Sequence, residues 1–247
     1  MFNFDRRTIY IVLAILIIMN LAQYLTDSQA LLGLVLTLPG VIIAITFHEF
    51  AHAFAADRLG DDTPRRQGRL NLNPLSHMDP IGFTLLLFAG FGWGRPVEIN
   101  PVRFNRKHSM ETGEAIVAFA GPLMNFILAI VGTLIYFAMY RFATSFMFTQ
   151  TGIIVTILLQ GIIVTNIGLG VFNLIPLPPL DGSKVLIRFL PTGAKNWFIQ
   201  NEQIFYIVFI VIWITGIAGS VISPAIQAMY NGLIGFFAQI FGFTILS

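Results

Sequence analysis

Ile42 to Asp57 reads IIAITFHEFAHAFAAD, an apolar run of helical length that carries His48, Glu49 and His52 in its interior. Residues four apart lie on one face of an α-helix, so His48 and His52 can direct two imidazole nitrogens at one point in space. Glu49 sits about 100° further round the helix, where its carboxylate can reach a water at that point without being a ligand. Ionisable groups are expensive in hydrocarbon, so three of them kept together in such a run point to chemistry rather than to packing.

The pattern is H-E-x-x-H, the arrangement of zinc hydrolases. With four His and five Glu in 247 residues, random placement would produce it in roughly one such chain in a thousand.

Around this stretch the composition is that of an integral membrane protein. Apolar residues make up 56% of the chain and charged residues 11%, with 24 Phe, and the mean hydropathy is +0.79. Between Glu114 and Asp181 only Arg141 is charged, and no charge follows Glu202. Those gaps read as membrane spans. The net charge of +2 gives no nucleic-acid signal, because the basic residues belong to the loops between spans. With no Cys in the chain, disulfides and thiolate ligands are excluded, and a metal here must use His and carboxylates.

The expected fold is an all-α polytopic membrane protein, a single domain over residues 1–247. Its six transmembrane helices are expected at about 8–24, 30–57, 114–140, 151–174, 203–219 and 224–245. The N-terminal run has no A-x-A-like cleavage site after it and reads as a retained first span rather than a signal peptide. Thr26-Asp27-Ser28 offers N-cap chemistry for the second, Pro176, Pro178 and Pro179 stop the fourth, and Ser183 to Leu190 suits a short amphipathic surface helix. A tight turn at Ser220 to Ser223 is expected between the last two spans.

Ile81 to Phe91 is apolar but too short to span. If it does not cross, two Lys/Arg before the first span, eight from Arg58 to Lys107 and three from Lys184 to Lys195 share one side, against Arg141 alone opposite. If it crosses, the sides are equal. The positive-inside rule therefore favours a re-entrant or interfacial hairpin and puts both termini in the cytoplasm. The following Arg95 to Phe104, RPVEINPVRF, alternates like a strand broken by prolines. It reads either as an edge strand able to hold an extended substrate by strand addition or as an interfacial loop.

A catalytic zinc takes three protein ligands and keeps one position open. A metzincin-type third histidine is excluded, because Ala55 and Arg58 occupy the positions that would carry its Gly and His. His77 and His108 lie in basic loops and read as surface residues. Asp181 remains. It follows a proline-broken span that runs back towards the side carrying His48 and His52, and an unwound turn frees a short carboxylate to reach a neighbouring helix. Gln160 and Asn166 read as interhelical amides. Asn125 and Asn173 are candidates either for holding substrate or oxyanion, or for interhelical bonding.

His48-Glu49-Phe50-Ala51-His52, together with Asn173-Leu174-Ile175-Pro176-Leu177-Pro178-Pro179-Leu180-Asp181-Gly182, resembles the site-2 protease family of intramembrane zinc metalloproteases. The likeness extends to Ala120-Gly121-Pro122 with Asn125 and to the GRPVEINP stretch. It implies one zinc ion held by His48, His52 and Asp181, Glu49 as general base, and a transmembrane protein or peptide as substrate in the lipid bilayer. A bacterial or archaeal plasma membrane is the implied location. Without a periplasmic PDZ insertion or a cytosolic CBS region, the chain looks like a minimal member. A transporter or metal-binding channel also uses broken helices with an aspartate at the break. Glu49 separates the two, because transport has no evident need for a general base beside two His ligands.

Overall fold

A computed structural model describes residues 26–89 and 93–243, together with Ile18 and Tyr24. Most of the described chain is helical, with no sheet, and four of its helices are long and apolar enough to cross a membrane: Ser28–Arg58, Met110–Phe142, Gln150–Asn173 and Ile217–Ile240. The expected first span, 8–24, lies almost entirely outside the described residues.

The first of the four, α1 (Ser28–Arg58), starts where expected: the Asp27 carboxylate accepts from the N–H groups of Gln29 and Ala30 and so satisfies donors that a helix start leaves unpaired. Three short helices follow, α2 (Thr63–Arg66), α3 (Pro74–His77) and α4 (Pro80–Ala89). The ten residues of α4 rise only about 15 Å. Met78 pairs with Gly94 in an isolated antiparallel bridge, so the residues flanking this excursion meet. The β-like hairpin expected here is instead a helix closed by that one bridge.

The segment from Arg95 to Asn100 forms no strand; the N–H groups of Arg95, Val97 and Asn100 go to a loop carbonyl and to side chains rather than to a neighbouring strand. A 3-10 turn at Pro101–Arg103, capped by Asn100, leads to α5 (Met110–Phe142). After the one-turn α6 (Thr144–Met147) comes α7 (Gln150–Asn173), which ends before the proline run as expected. Asp181 opens α8 (Asp181–Phe189), followed by α9 (Thr192–Gln200), α10 (Glu202–Ile214) and α11 (Ile217–Ile240).

The expected turn at Ser220 to Ser223 is not there. The chain breaks earlier, at Gly216, whose φ of +74° suits a residue without a Cβ, and α11 runs straight through the serines and Pro224. Ser220 bonds back to the carbonyl of Ile217, which keeps it within the helix. The break leaves α10 with 13 residues, about 20 Å, against the roughly 30 Å of a hydrocarbon core.

Helices α1, α5 and α7 pack against one another in all three pairs. A Cβ on Gly40 of α1 would stand 2.9 Å from the carbonyl oxygen of Gly161 on α7, so this crossing is close because neither residue has a side chain, as at small-residue helix contacts in membranes. Ala129, Ile163 and Ile167 fill the seam of α5 and α7, with Ile226, Tyr230 and Leu233 of α11 against it. On the loop side, Ala56, Phe104 and Val117 form a separate cluster that joins α1, the segment before α5, and α5 itself. Helix α8 lies along α5, with Arg188 donating to Thr112 at 2.7 Å, and Lys195 of α9 pairs with Glu111.

Candidate metal centre

His48 and His52 lie in the second half of α1, where it is enclosed by α5 and α7. Both are buried, and their rings meet edge to face with centroids 4.6 Å apart. The proline-rich turn after α7 carries Asp181 to them from 129 residues down the chain, counting from His52. Its Oδ2 stands 3.1 Å from His48 Nε2 and 3.2 Å from His52 Nε2. The three residues form the one His/Cys/Asp/Glu group among the described residues that could hold a metal.

The hydrogen bonds on the far side of each ring set what points at that spot. His52 Nδ1 lies 2.7 Å from the carbonyl of Val117, which can only accept, so Nδ1 carries the proton. His48 Nδ1 lies 2.7 Å from Asn125 Oδ1, another acceptor. In the neutral rings both Nε2 atoms are therefore bare lone pairs, and Asp181 Oδ2 is a buried oxygen with no hydrogen bond. Three acceptors facing one another repel unless a cation lies between them.

A tetrahedral site with bonds of about 2.0–2.1 Å has its ligand atoms roughly 3.3 Å apart, close to the separations here. Imidazole with carboxylate is a donor set suited to zinc. Gly121 of α5 leaves the space: a Cβ there would stand 2.5 Å from His52 Nε2 and 2.7 Å from His48 Cε1. The residues present fit one metal ion.

Glu49 is buried beside the group, close enough to interact electrostatically with His52, His48 and Asp181. Its Oε2 accepts from the N–H of Val97 at 3.2 Å, and Gly94 lies against its Oε1. The segment from Arg95 to Asn100 thus covers Glu49 from the loop side. It is held there by a string of contacts: Arg95 N–H to the His77 carbonyl, Asn100 N–H to Asp61 Oδ2 at 2.6 Å, and Asn105 N–H to the Leu59 carbonyl. The Arg69 guanidinium bonds the carbonyls of Ser76 and Arg95.

Asn125 is fully buried, and both its amide hydrogens are committed, to the Ala44 carbonyl and to Asn166 Oδ1. Asn173 is half-buried, and among the described residues its side chain makes a single bond, to the Leu169 carbonyl one turn back. His108 is exposed, as expected. His77 is not a surface residue: it is wholly buried at the end of α3, its ring bonded to the Asn71 carbonyl. Its burial is a tertiary effect that its own basic loop does not announce, with Gly94 and Arg95 lying against its carbonyl. The sequence reading missed Val117 and Gly121 as parts of the site. A carbonyl has no residue signature, and Gly121 was legible only within the Ala120-Gly121-Pro122 element.

The sequence model of peptidase family M50 matches residues 36–216. A Bacillus subtilis protein named "Putative zinc metalloprotease YwhC" is 38% identical over 211 residues, covering 84% of this chain and 92% of that protein. Proteins named "Putative zinc metalloprotease Rip2" match too. The one from Mycolicibacterium smegmatis is 29% identical over 84% of this chain and 74% of its own length. Its namesake in Mycobacterium tuberculosis strain H37Rv is 25% identical over 81% and 71%. No solved structure matches the chain.

Proposed function

The chain belongs to peptidase family M50, and from that premise we propose that this integral membrane zinc metalloprotease cuts peptide bonds within or beside the transmembrane helices of its substrates. The observation that carries the reading is the convergence of His48 Nε2, His52 Nε2 and Asp181 Oδ2, from two motifs far apart in sequence, next to a buried glutamate.

His48, His52 and Asp181 would hold the zinc, whose Lewis acidity would lower the pKa of a water towards neutral and polarise the scissile carbonyl. Glu49 takes the proton of the attacking water and hands it to the leaving amine. The donor for the developing oxyanion is Asn173, which has an uncommitted amide hydrogen, whereas Asn125 has none and instead orients His48. A substrate helix must unwind to expose its amides. The segment from Arg95 to Asn100 lies beside Glu49, and the part of its backbone not fastened to the protein is suited to taking the unwound chain by strand addition.

In the topology that goes with this chemistry, residues 8–24 and α10 are the two further crossings, the 13-residue α10 being accommodated by local thinning of the bilayer. Both termini then face the cytoplasm. His48 lies roughly 15 Å along α1 from Arg58, so water reaches the site from that side. Substrate enters laterally from lipid, past the spans that hold no ligand.

The test is zinc content and cleavage measured on the same purified proteins. Glu49→Gln should keep one zinc and lose about 10²–10⁴-fold in the cleavage rate of a reconstituted transmembrane substrate. Asp181→Ala should lose the zinc as well. Undiminished cleavage by the Glu49 variant would refute the mechanism, and full zinc in the Asp181 variant would refute the ligand set.

A further inference from the structure

Behind His48, away from the metal side, runs a chain of hydrogen bonds that ends on a residue well outside the ligand set. Asn166 of α7 is completely buried and donates from Nδ2 to the Ile162 carbonyl at 2.8 Å. A carbonyl only accepts, so the Asn166 amide can be turned one way only, with Oδ1 towards α5. That oxygen accepts from Asn125 Nδ2 at 2.9 Å, and the other Nδ2 hydrogen goes to the Ala44 carbonyl on α1 at 3.1 Å. The Asn125 amide is therefore fixed as well, its Oδ1 facing His48 Nδ1 at 2.7 Å.

We propose that Asn166 is a positioning residue of the metal centre: through Asn125 it fixes His48 as the Nδ1–H tautomer, so that the Nε2 lone pair is the one presented to Asp181 and His52. The proposal rests on the reading that His48 is a zinc ligand.

Gluing α5 to α7 would require only some amide pair, in either orientation. What distinguishes this pair is direction. Each amide is oriented by a backbone carbonyl, and the sequence of donors and acceptors terminates on a ring nitrogen. With both asparagines fully buried, no water can replace a missing partner. Without Asn166, Asn125 keeps one buried N–H unpaired and is held only by Ala44. The amide can then turn, and His48 loses its fixed tautomer. Outer groups of this kind orient a ligating imidazole and raise its affinity for metal.

The measurement is Zn²⁺ affinity by chelator competition, with the visible absorption of the Co²⁺-substituted protein as a second readout. Asn166→Leu should weaken zinc binding about tenfold and broaden the Co²⁺ bands, and Asn125→Leu should weaken it further, towards 100-fold. If the Leu protein does not fold, Asn166→Ser serves: its short hydroxyl bonds back to Ile162 and cannot reach Asn125, so the same loss is expected. Gln160→Leu on the same helix removes an amide that lies beside Tyr136, and should leave zinc affinity unchanged. Wild-type affinity in the Asn166 variants, or an equal loss with Gln160→Leu, would overturn the proposal. A wild-type protein that binds no zinc would instead overturn the metal reading beneath it.

Discussion

The two sides of Glu49 are built by opposite means. On one side the three converging atoms are carried by α1 and the start of α8, and every ring is fixed from behind by a carbonyl or a buried amide. On the other side a segment with no strand partner hangs from side chains and loop carbonyls, those of Glu49, Asp61, Gln67, Arg69 and His77 among them. The requirements differ. A metal cage fails if its atoms shift by an ångström, so it sits where helices cross closely and nothing yields. A surface that receives another chain, the role proposed for this segment, must keep part of its backbone unpaired, so it cannot be the middle of a sheet.

If that contrast is right, the most damaging small change lies at Gly121. Helix propensity alone favours Gly121→Ala by about 0.8–1.0 kcal/mol. Sterics oppose it, because the new methyl would sit 2.5 Å from His52 Nε2 and 2.6 Å from Cε1. The rings must move, and cleavage should fall by about 10² or more with loss of tightly held zinc. Gly33→Ala on the same long apolar architecture meets nothing within 4 Å and should leave both unchanged. An active Gly121→Ala protein would mean that the cage is as yielding as the segment opposite.

A smaller effect, confined to the other side, is expected at Asp61. This fully buried carboxylate accepts from the Thr63 N–H, the Thr63 hydroxyl and the Asn100 N–H. Asp61→Ala strands those donors, at about 1–3 kcal/mol for each one left buried without a partner. Amide exchange from residue 94 to 105 should then quicken about tenfold or more, while zinc content stays at one. Loss of zinc with the segment would show that the two sides are one unit.

The contrast also explains what the sequence disclosed. The cage was legible because its signals are local: a four-residue spacing on a helix, and an aspartate placed by three prolines. Its supports were not, since Val117 contributes a carbonyl and Gly121 an absence. The stretch from Arg95 to Phe104 stayed open between an edge strand and a loop because side-chain alternation is all its sequence displays, and whether a strand forms depends on a partner elsewhere in the chain. Ser220 to Ser223 failed as a turn for a related reason. Serine and proline are breakers in water, but in a long apolar helix the serine bonds back to its own carbonyls, and the break fell to Gly216.

The smallest expected effect is a pH dependence of the segment alone. His77 holds it through its own carbonyl, which accepts from the Arg95 N–H, and through the neighbouring Met78 to Gly94 bridge. Burial pushes the His77 pKa below its usual value, with the nearby Arg69 acting in the same direction against the bond to Asn71. The folded state therefore binds its proton less readily than the unfolded chain. The stability this contributes is complete above the unfolded value of about 6.5 and is lost as pH falls from there through the lower folded value. Corrected for the intrinsic slowing of amide exchange in acid, the protection of residues 69–78 and 93–97 should fall between pH 7.5 and 5.5, by about the same factor whether or not cleavage is blocked by Glu49→Gln. His77→Gln, whose amide can keep the Asn71 bond but cannot titrate, should flatten that dependence. If the variant retained the full acid response, the trigger would lie in another group, and the segment would not be tuned separately from the cage.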